Sequence, residues 1–201
     1  MRILLLDNYD SFTYNLLQYL KQLVPFGVIE VIRNNQIDLE EVAKFDIVVL
    51  SPGPGIPKDA GIMPALIKRY AAEKSILGVC LGHQAIGEAF GGSLTNMEEV
   101  FHGISTPILI TEQLSSPIFE SINAPFEAGR YHSWIVNKSD LPDCLRITAV
   151  DDKGRIMAFS HKEYDVHGVQ FHPESVMTPD GMKMLSNFIF HSASRLGLKI
   201  A

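Results

Sequence analysis

The chain has 201 residues, 46% apolar and 20% charged, without low-complexity stretches, which predicts one folded domain over residues 1–201 with a sizeable core. Its formal net charge of -6, with no run of Lys or Arg, argues against a nucleic-acid partner or an acidic membrane surface. Cys80 and Cys144 are too few for a disulfide framework, and the apolar run Ile3–Leu6 ends at Asp7, too short for a signal-peptide core or a membrane span; a cytoplasmic protein with no membrane partner is expected.

In chain order, Ile3–Leu6 reads as a buried strand, and Ser11 is placed to cap a helix running to about Leu23, with Asp10 a second candidate cap. Val28–Ile32 is a strand, Asp38–Lys44 a short helix and Ile47–Leu50 a third strand. Residues 52–61 form a loop of three prolines and three glycines, followed by a helix over Ile62–Ala72 and a strand at Ser75–Val79. A helical pattern covers His83–Phe90. The second half is less regular: strands near 100–112 and 125–130, a short helix at Ser115–Ser121, and a hairpin of Leu145–Val150 with Ile156–His161 around Asp151–Gly154. Val166–Gln170 is the last strand, and Asp180–Arg195 a closing helix with Met182, Leu185, Phe188 and Ile189 on one face. Strand followed by helix, repeated, predicts a single α/β domain, a mostly parallel central sheet with helices on both faces.

Cys80 stands between a predicted strand and helix, within Gly78-Val79-Cys80-Leu81-Gly82-His83-Gln84. A tight strand-to-helix turn holds a nucleophile clear of the sheet in a strained conformation, and small neighbours remove the clashes that would forbid it. The helix N-terminus beyond favours a thiolate and offers N–H groups to a developing oxyanion. His83 is too close in sequence to face Cys80 and reads as structural. A second segment, Gly168-Val169-Gln170-Phe171-His172-Pro173-Glu174-Ser175, follows the last strand. His172 and Glu174, two apart in extended chain, point the same way, and Pro173 limits wobble between them. This suits a base and the carboxylate that orients it. His102, His161, His167 and His191 read as packed or surface residues, and no H-x-x-x-H or paired C-x-x-C spacing suggests a metal.

These two segments, in this order, resemble the nucleophile and His-Glu segments of the class I (triad) glutamine amidotransferases, and the likeness covers nearly the whole chain. Asp7–Asn15 and Ser51-Pro52-Gly53-Pro54-Gly55 are similar to the opening and the oxyanion loop of anthranilate and aminodeoxychorismate synthase glutaminase subunits. Arg130-Tyr131-His132-Ser133-Trp134 resembles their substrate-side loop, where Leu is more familiar than Trp at the last position.

The resemblance implies that Cys80 attacks the glutamine carboxamide, with His172 as base and Glu174 as its orienter. Gly53 and Leu81 would supply oxyanion N–H groups, in a loop with Pro54 and Gly55, while Gln84, Ser133 and Trp134 would hold the amino-acid end of glutamine. It further implies a chorismate-using partner of the anthranilate synthase component I type, with Mg2+ in that partner and no cofactor here. Tryptophan synthesis is the favoured pathway; folate synthesis through aminodeoxychorismate, or one chain shared by both, is the alternative. Weaker readings are a free-standing γ-glutamyl hydrolase, opposed by the Gly-Pro loop with Gln84, and a non-catalytic docking protein, opposed by the complete Cys-His-Glu set. Asp7–Asn15 is left between helix capping and partner contact.

Overall fold

A computed structural model describes residues 1–111 and 116–198. The strands are β1 (Arg2–Asp7), β2 (Val28–Arg33), β3 (Ile47–Leu50), β4 (Ser75–Val79), β5 (Leu94–Ile110), β6 (Phe126–Val136), β7 (Leu145–Val150), β8 (Ile156–His161) and β9 (Val166–Val169). They form one sheet in the order β2-β1-β3-β4-β9-β8-β7-β5-β6. From β2 through β9 every neighbouring pair is parallel, and from β9 to β6 every pair is antiparallel. The parallel half follows from its sequence: β3 and β4 are short apolar runs buried along their whole length, as strands covered on both faces must be.

Side-chain alternation sends Ile3 and Leu5 of β1, with Val49 and Leu77, to one face of the sheet. There α1 (Thr13–Leu23) contributes Leu16 and Leu20, and α4 (Gly181–Arg195) contributes Met184, Leu185, Phe188 and Ile189. The other face, with Leu4, Leu6, Val48 and Ile76, is covered by α2 (Met63–Tyr70) and α3 (Leu81–Ala89). No helix among the described residues is long and apolar enough to cross a membrane.

Some local expectations change. Ser11 does not cap α1: the N-cap position is Phe12, in helical conformation and without a side-chain cap. The nearby carboxylates take the donors instead, Asp10 accepting from the Phe12 N–H at 2.7 Å and Asp7 from the Tyr9 N–H at 2.9 Å and the Thr13 hydroxyl at 3.0 Å. On α4, Met184 is buried and Met182 only partly so, the apolar stripe lying slightly further round the helix. The 38–44 segment is a 3-10 helix at Leu39–Lys44, entered through an Asp38/Glu41 capping box. The expected Ser115–Ser121 helix is a 3-10 turn at Pro117–Phe119, with residue 115 outside the described residues. Residue 112, the expected end of the 100–112 strand, also lies outside them; the strand itself starts earlier, at Leu94. Most of β5 is exposed and interrupted by bulges, so it lacks the alternation by which a half-buried strand is recognised.

The glycines around Cys80 mark where the backbone is tightest. A Cβ on Gly78 would sit 2.4 Å from the Gly82 carbonyl carbon and 2.7 Å from the His83 nitrogen, both rigid backbone atoms. Gly78→Ala should therefore cost about 1–3 kcal/mol of folding stability, the usual range for overpacking, read as a lower midpoint in urea unfolding; an unchanged midpoint would show that the turn relaxes freely.

Candidate active site

The site lies where the parallel strands end. Cys80 follows β4 directly and is the N-cap of α3, with φ 52° and ψ -99°, a left-handed conformation that L-residues avoid. It is held there from both sides: its N–H donates to the Val169 carbonyl at 2.9 Å, and its carbonyl accepts from the Gln84 N–H at 3.0 Å. The first N–H groups of α3 have no partners within the helix, so they are free to meet negative charge.

Strand β9 ends at Val169, and the expected extended run through Glu174 is instead a bend and a turn closed by the Ser175 N–H on the His172 carbonyl at 3.2 Å, which brings His172 and Glu174 together. His172 Nδ1 is 2.7 Å from Glu174 Oε1, and both side chains are buried. That contact leaves Nε2, which has no settled partner among the described residues, for the sulfur of Cys80 beside it. Burial disfavours the charged imidazole, but the Glu174 carboxylate and the Cys80 side chain outweigh it and raise His172 to about 10. Its backbone is also fixed, the His172 N–H donating to Gly129 and the Thr178 hydroxyl to the His172 carbonyl, at 2.9 and 2.7 Å. Phe12 and Tyr131 pack edge-on against the imidazole, with ring centroids 5.1 and 4.9 Å away.

Two cavities meet at Cys80. One of about 250 Å³ is lined by Gly53, Pro54, Gly55, Gln84 and Tyr131–Trp134. It gathers every binding residue expected from the sequence except Leu81, which begins α3 beside it. The other, of about 670 Å³, opens on the far side between Tyr9–Phe12, Pro52–Pro54, His102, Tyr131 and His172. Cys80, Gly53, Pro54 and Tyr131 border both.

The walls of the smaller cavity are fixed by buried polar groups. The Trp134 carbonyl accepts from Gln84 Nε2 at 2.9 Å and lies 3.1 Å from His132 Nδ1. His132 Nε2 accepts from Arg130 Nε–H at 3.1 Å, so the proton of its neutral ring sits on Nδ1 and is donated to Trp134. Arg130 is itself fully buried, paired with Asp151 at 3.0 Å and stacked on Phe101 at 3.6 Å. Gln170, to which the sequence alone assigns no role, accepts from Gln84 Nε2 at 3.2 Å and approaches the Cys80 sulfur with its own amide at 3.6 Å.

Asn8 is the second residue whose role the sequence did not reveal. Its side-chain amide donates to the Ser51 carbonyl at 2.8 Å, its N–H to the Ser51 hydroxyl at 2.9 Å, and its Oδ1 accepts from Asn34 at 3.0 Å. Asn8 thereby anchors the Gly-Pro loop against β1. Gly53 passes so close that a Cβ there would lie 2.6 Å from the Asn8 Cβ. His83 is fully buried, stacked on Phe159 at 4.2 Å and turned away from catalysis.

A model of the family "Glutamine amidotransferase class-I" matches residues 4–192. The chain is 46% identical over 189 residues to the aminodeoxychorismate/anthranilate synthase component 2 of Bacillus subtilis, covering 93% of this chain and 95% of that one. It is 43% identical over 190 residues to the bifunctional protein TrpGD of Thermotoga maritima, covering 94% of this chain but only 32% of that protein's length. Further relatives carry the name anthranilate synthase component 2 or aminodeoxychorismate synthase component 2. Among solved structures, a candidate GMP synthase subunit from Thermoplasma acidophilum superposes with a TM-score of 0.85 at 27% identity, covering 98% of this chain and 96% of that one.

The buried imidazoles set an acid limit on stability. Burial is the main cause that lowers both His83 and His132 from 6.5 to about 3, Arg130 adding to the effect on His132. Between these values the unfolded chain binds protons that the folded one does not, so the stabilisation is complete above about pH 6.5 and is lost as pH falls toward 3. Urea unfolding at pH 7 and pH 5 should show this loss, and His83→Phe should reduce the difference between the two pH values; an undiminished difference would exclude His83 as a source.

Proposed function

The chain belongs to the class-I glutamine amidotransferases, and we propose that it is the glutaminase subunit of an anthranilate synthase, feeding ammonia to a chorismate-binding partner. The observation that carries the catalytic reading is the position of Cys80 between two cavities, the 250 Å³ one walled by Gln84 and Trp134 and the 670 Å³ one bordered by His172, whose imidazole is paired with Glu174.

Glutamine binds in the smaller cavity with its amino-acid end toward Gln84, Ser133 and Trp134. His172 takes the Cys80 proton, and the sulfur adds to the side-chain carboxamide. The N–H groups of Gly53 and Leu81 hold the oxygen as negative charge develops, a contribution typically worth ~100- to ~1000-fold in rate per donor. The C–N bond then breaks, the leaving nitrogen takes the proton from His172 and departs as ammonia, and a γ-glutamyl thioester remains. A water molecule gives a proton to His172 and adds to the thioester; the C–S bond then breaks, glutamate leaves, and His172 returns the proton to the Cys80 sulfur. Neither a metal nor an organic cofactor enters these steps, and Mg2+ is assigned to the chorismate-binding partner.

The larger opening supports an exit for ammonia on the side away from glutamine. It is bordered by the exposed ring of Tyr9 and by His102. We assign this face to the synthase partner. A second reading has a specific basis: the Bacillus subtilis relative is named for both aminodeoxychorismate and anthranilate synthase. On that reading the chain serves both synthases.

Reconstitution with each candidate synthase, given chorismate, Mg2+ and glutamine, tests the assignment. Anthranilate as the sole product supports the first reading, both products support the second, and aminodeoxychorismate alone overturns the anthranilate assignment. In the active complex, Cys80→Ser should reduce glutamine-dependent synthesis at least ~1000-fold, by analogy with other removed nucleophiles, while ammonia-dependent synthesis stays intact; loss of both would make Cys80 structural. Glu174→Ala should lower kcat less than His172→Ala, because Phe12, Tyr131 and the fixed backbone still hold the imidazole; equal losses would contradict that division.

A further inference from the structure

At the other end of the same strands lies a second cluster of reactive side chains. Asp165 precedes β9, His167 is the second residue of that strand, and His191 projects from α4. The three donor atoms lie within 4.8 Å of one another, His167 Nε2 at 2.9 Å and His191 Nε2 at 3.3 Å from the same oxygen, Asp165 Oδ1. Asp165 and His167 are buried, and His191 is exposed. The cluster borders a cavity of about 720 Å³ whose lining also includes Glu120, Glu163 and Arg195. None of these groups takes part in the reaction at Cys80.

We propose that Asp165, His167 and His191 form a binding site for one divalent transition-metal ion of the Zn2+ class. Two imidazoles and one carboxylate are a donor set that suits Zn2+ and its neighbours. A four-coordinate ion with ligands ~2.0–2.1 Å away needs donor-to-donor spacings of roughly 3.3 Å, close to the two contacts already present. The remaining imidazole pair has to close by a small side-chain rotation, and His191 is free to make it because it is exposed.

The surroundings of each ligand are those of a metal site rather than of a simple ion pair. The other Asp165 oxygen accepts from the hydroxyls of Ser75 and Ser192, so the carboxylate is oriented with Oδ1 turned to the imidazoles. His167 Nδ1 is 2.8 Å from the Ser160 hydroxyl. A hydroxyl can accept as well as donate, so His167 can move its proton to Nδ1 and present Nε2 to the ion without losing that bond. Such outer contacts fix the tautomer and direction of ligating histidines in metal sites. The cavity that the three residues border leaves room for water or an added ligand as a fourth donor.

Bound there, the ion would tie α4 to β9 and Ser75 of β4. It would stabilise the folded chain by mass action as its free concentration exceeds the dissociation constant.

The test is calorimetric titration of Zn2+ into tag-free, metal-stripped full-length chain carrying Cys80→Ser, which removes the competing active-site thiol. One ion per chain and a melting temperature that rises with Zn2+ are expected. His191→Gln, at an exposed position that should fold normally, is expected to weaken binding by at least ~10-fold, the lower end of what even an outer-shell loss costs in such sites; His167→Gln should do the same. Absence of saturable binding, or unchanged affinity in both variants, would overturn the proposal and leave the cluster as a hydrogen-bonded clamp.

Discussion

The conformation of a single residue constrains everything around the active site. Cys80 has φ 52° and ψ -99°, a region whose cost is of order 1–3 kcal/mol for a residue with a side chain. Such a conformation persists only where its surroundings leave no alternative. Here the strand before it is wholly buried, and the helix after it donates its first hydrogen bond to the carbonyl of the strained residue itself. The glycines at 78 and 82 are packed against each other's turn and against Leu50. Relaxing the cysteine would require moving β3, β4 and α3 together. The sheet thus offsets a local penalty that places a sulfur at the junction of two cavities.

A second layer of buried polar groups keeps the pocket walls in register with that sulfur. On one wall Asp7 and Asn8 organise the β1–α1 connection and anchor the Gly-Pro loop through Ser51. On the other, Asp151 holds Arg130, Arg130 orients His132, and His132 and Gln84 converge on the Trp134 carbonyl. Each group is held by the next, so the walls are ordered before substrate arrives and less ordering has to accompany binding. Asp151 also accepts from Arg155, whose guanidinium in turn pairs with Glu99 at 2.9 Å. Removing one partner from a buried pair such as Arg130 and Asp151 typically costs about 3–5 kcal/mol, because the remaining charge stays buried.

Legibility from sequence followed the range of the interactions. The segments around Cys80 and His172 were readable because their meaning is local: a strand-to-helix turn needs small flanking residues, and a His-Pro-Glu segment brings its two polar side chains together over three residues, although through a turn and not through the extended chain expected. The five short strands of the parallel half were readable for a similar reason. What could not be read joins residues distant in the chain. Nothing near Asn8 indicates Ser51, nothing near Arg130 indicates Asp151, and Gln170 gains its meaning only from Gln84 and Cys80. The Asp165–His167–His191 cluster was missed in the same way, since a strand and a helix supply its members and no spacing motif links them. The Ser11 cap failed because the helix begins one residue later than expected, with Phe12 at the N-cap position and the Thr13 N–H taken by the Asp10 carbonyl. The 94–100 part of β5 stayed hidden because that stretch is largely exposed and carries no alternating pattern.

The position of β6 at the margin of the sheet has a consequence for how the site tolerates change. It pairs along one side with β5 and leaves its other side without a neighbouring strand. Main-chain groups there are taken up one by one, the Gly129 carbonyl by His172 and the Trp134 carbonyl by Gln84. Contacts of this kind tie the wall to its neighbours through peptide groups that every residue type provides. Side chains along this wall can drift between lineages without erasing the contact, provided the strand keeps its path. At Trp134 it is the carbonyl that meets Gln84 and His132, so the link between this wall and α3 does not depend on the indole.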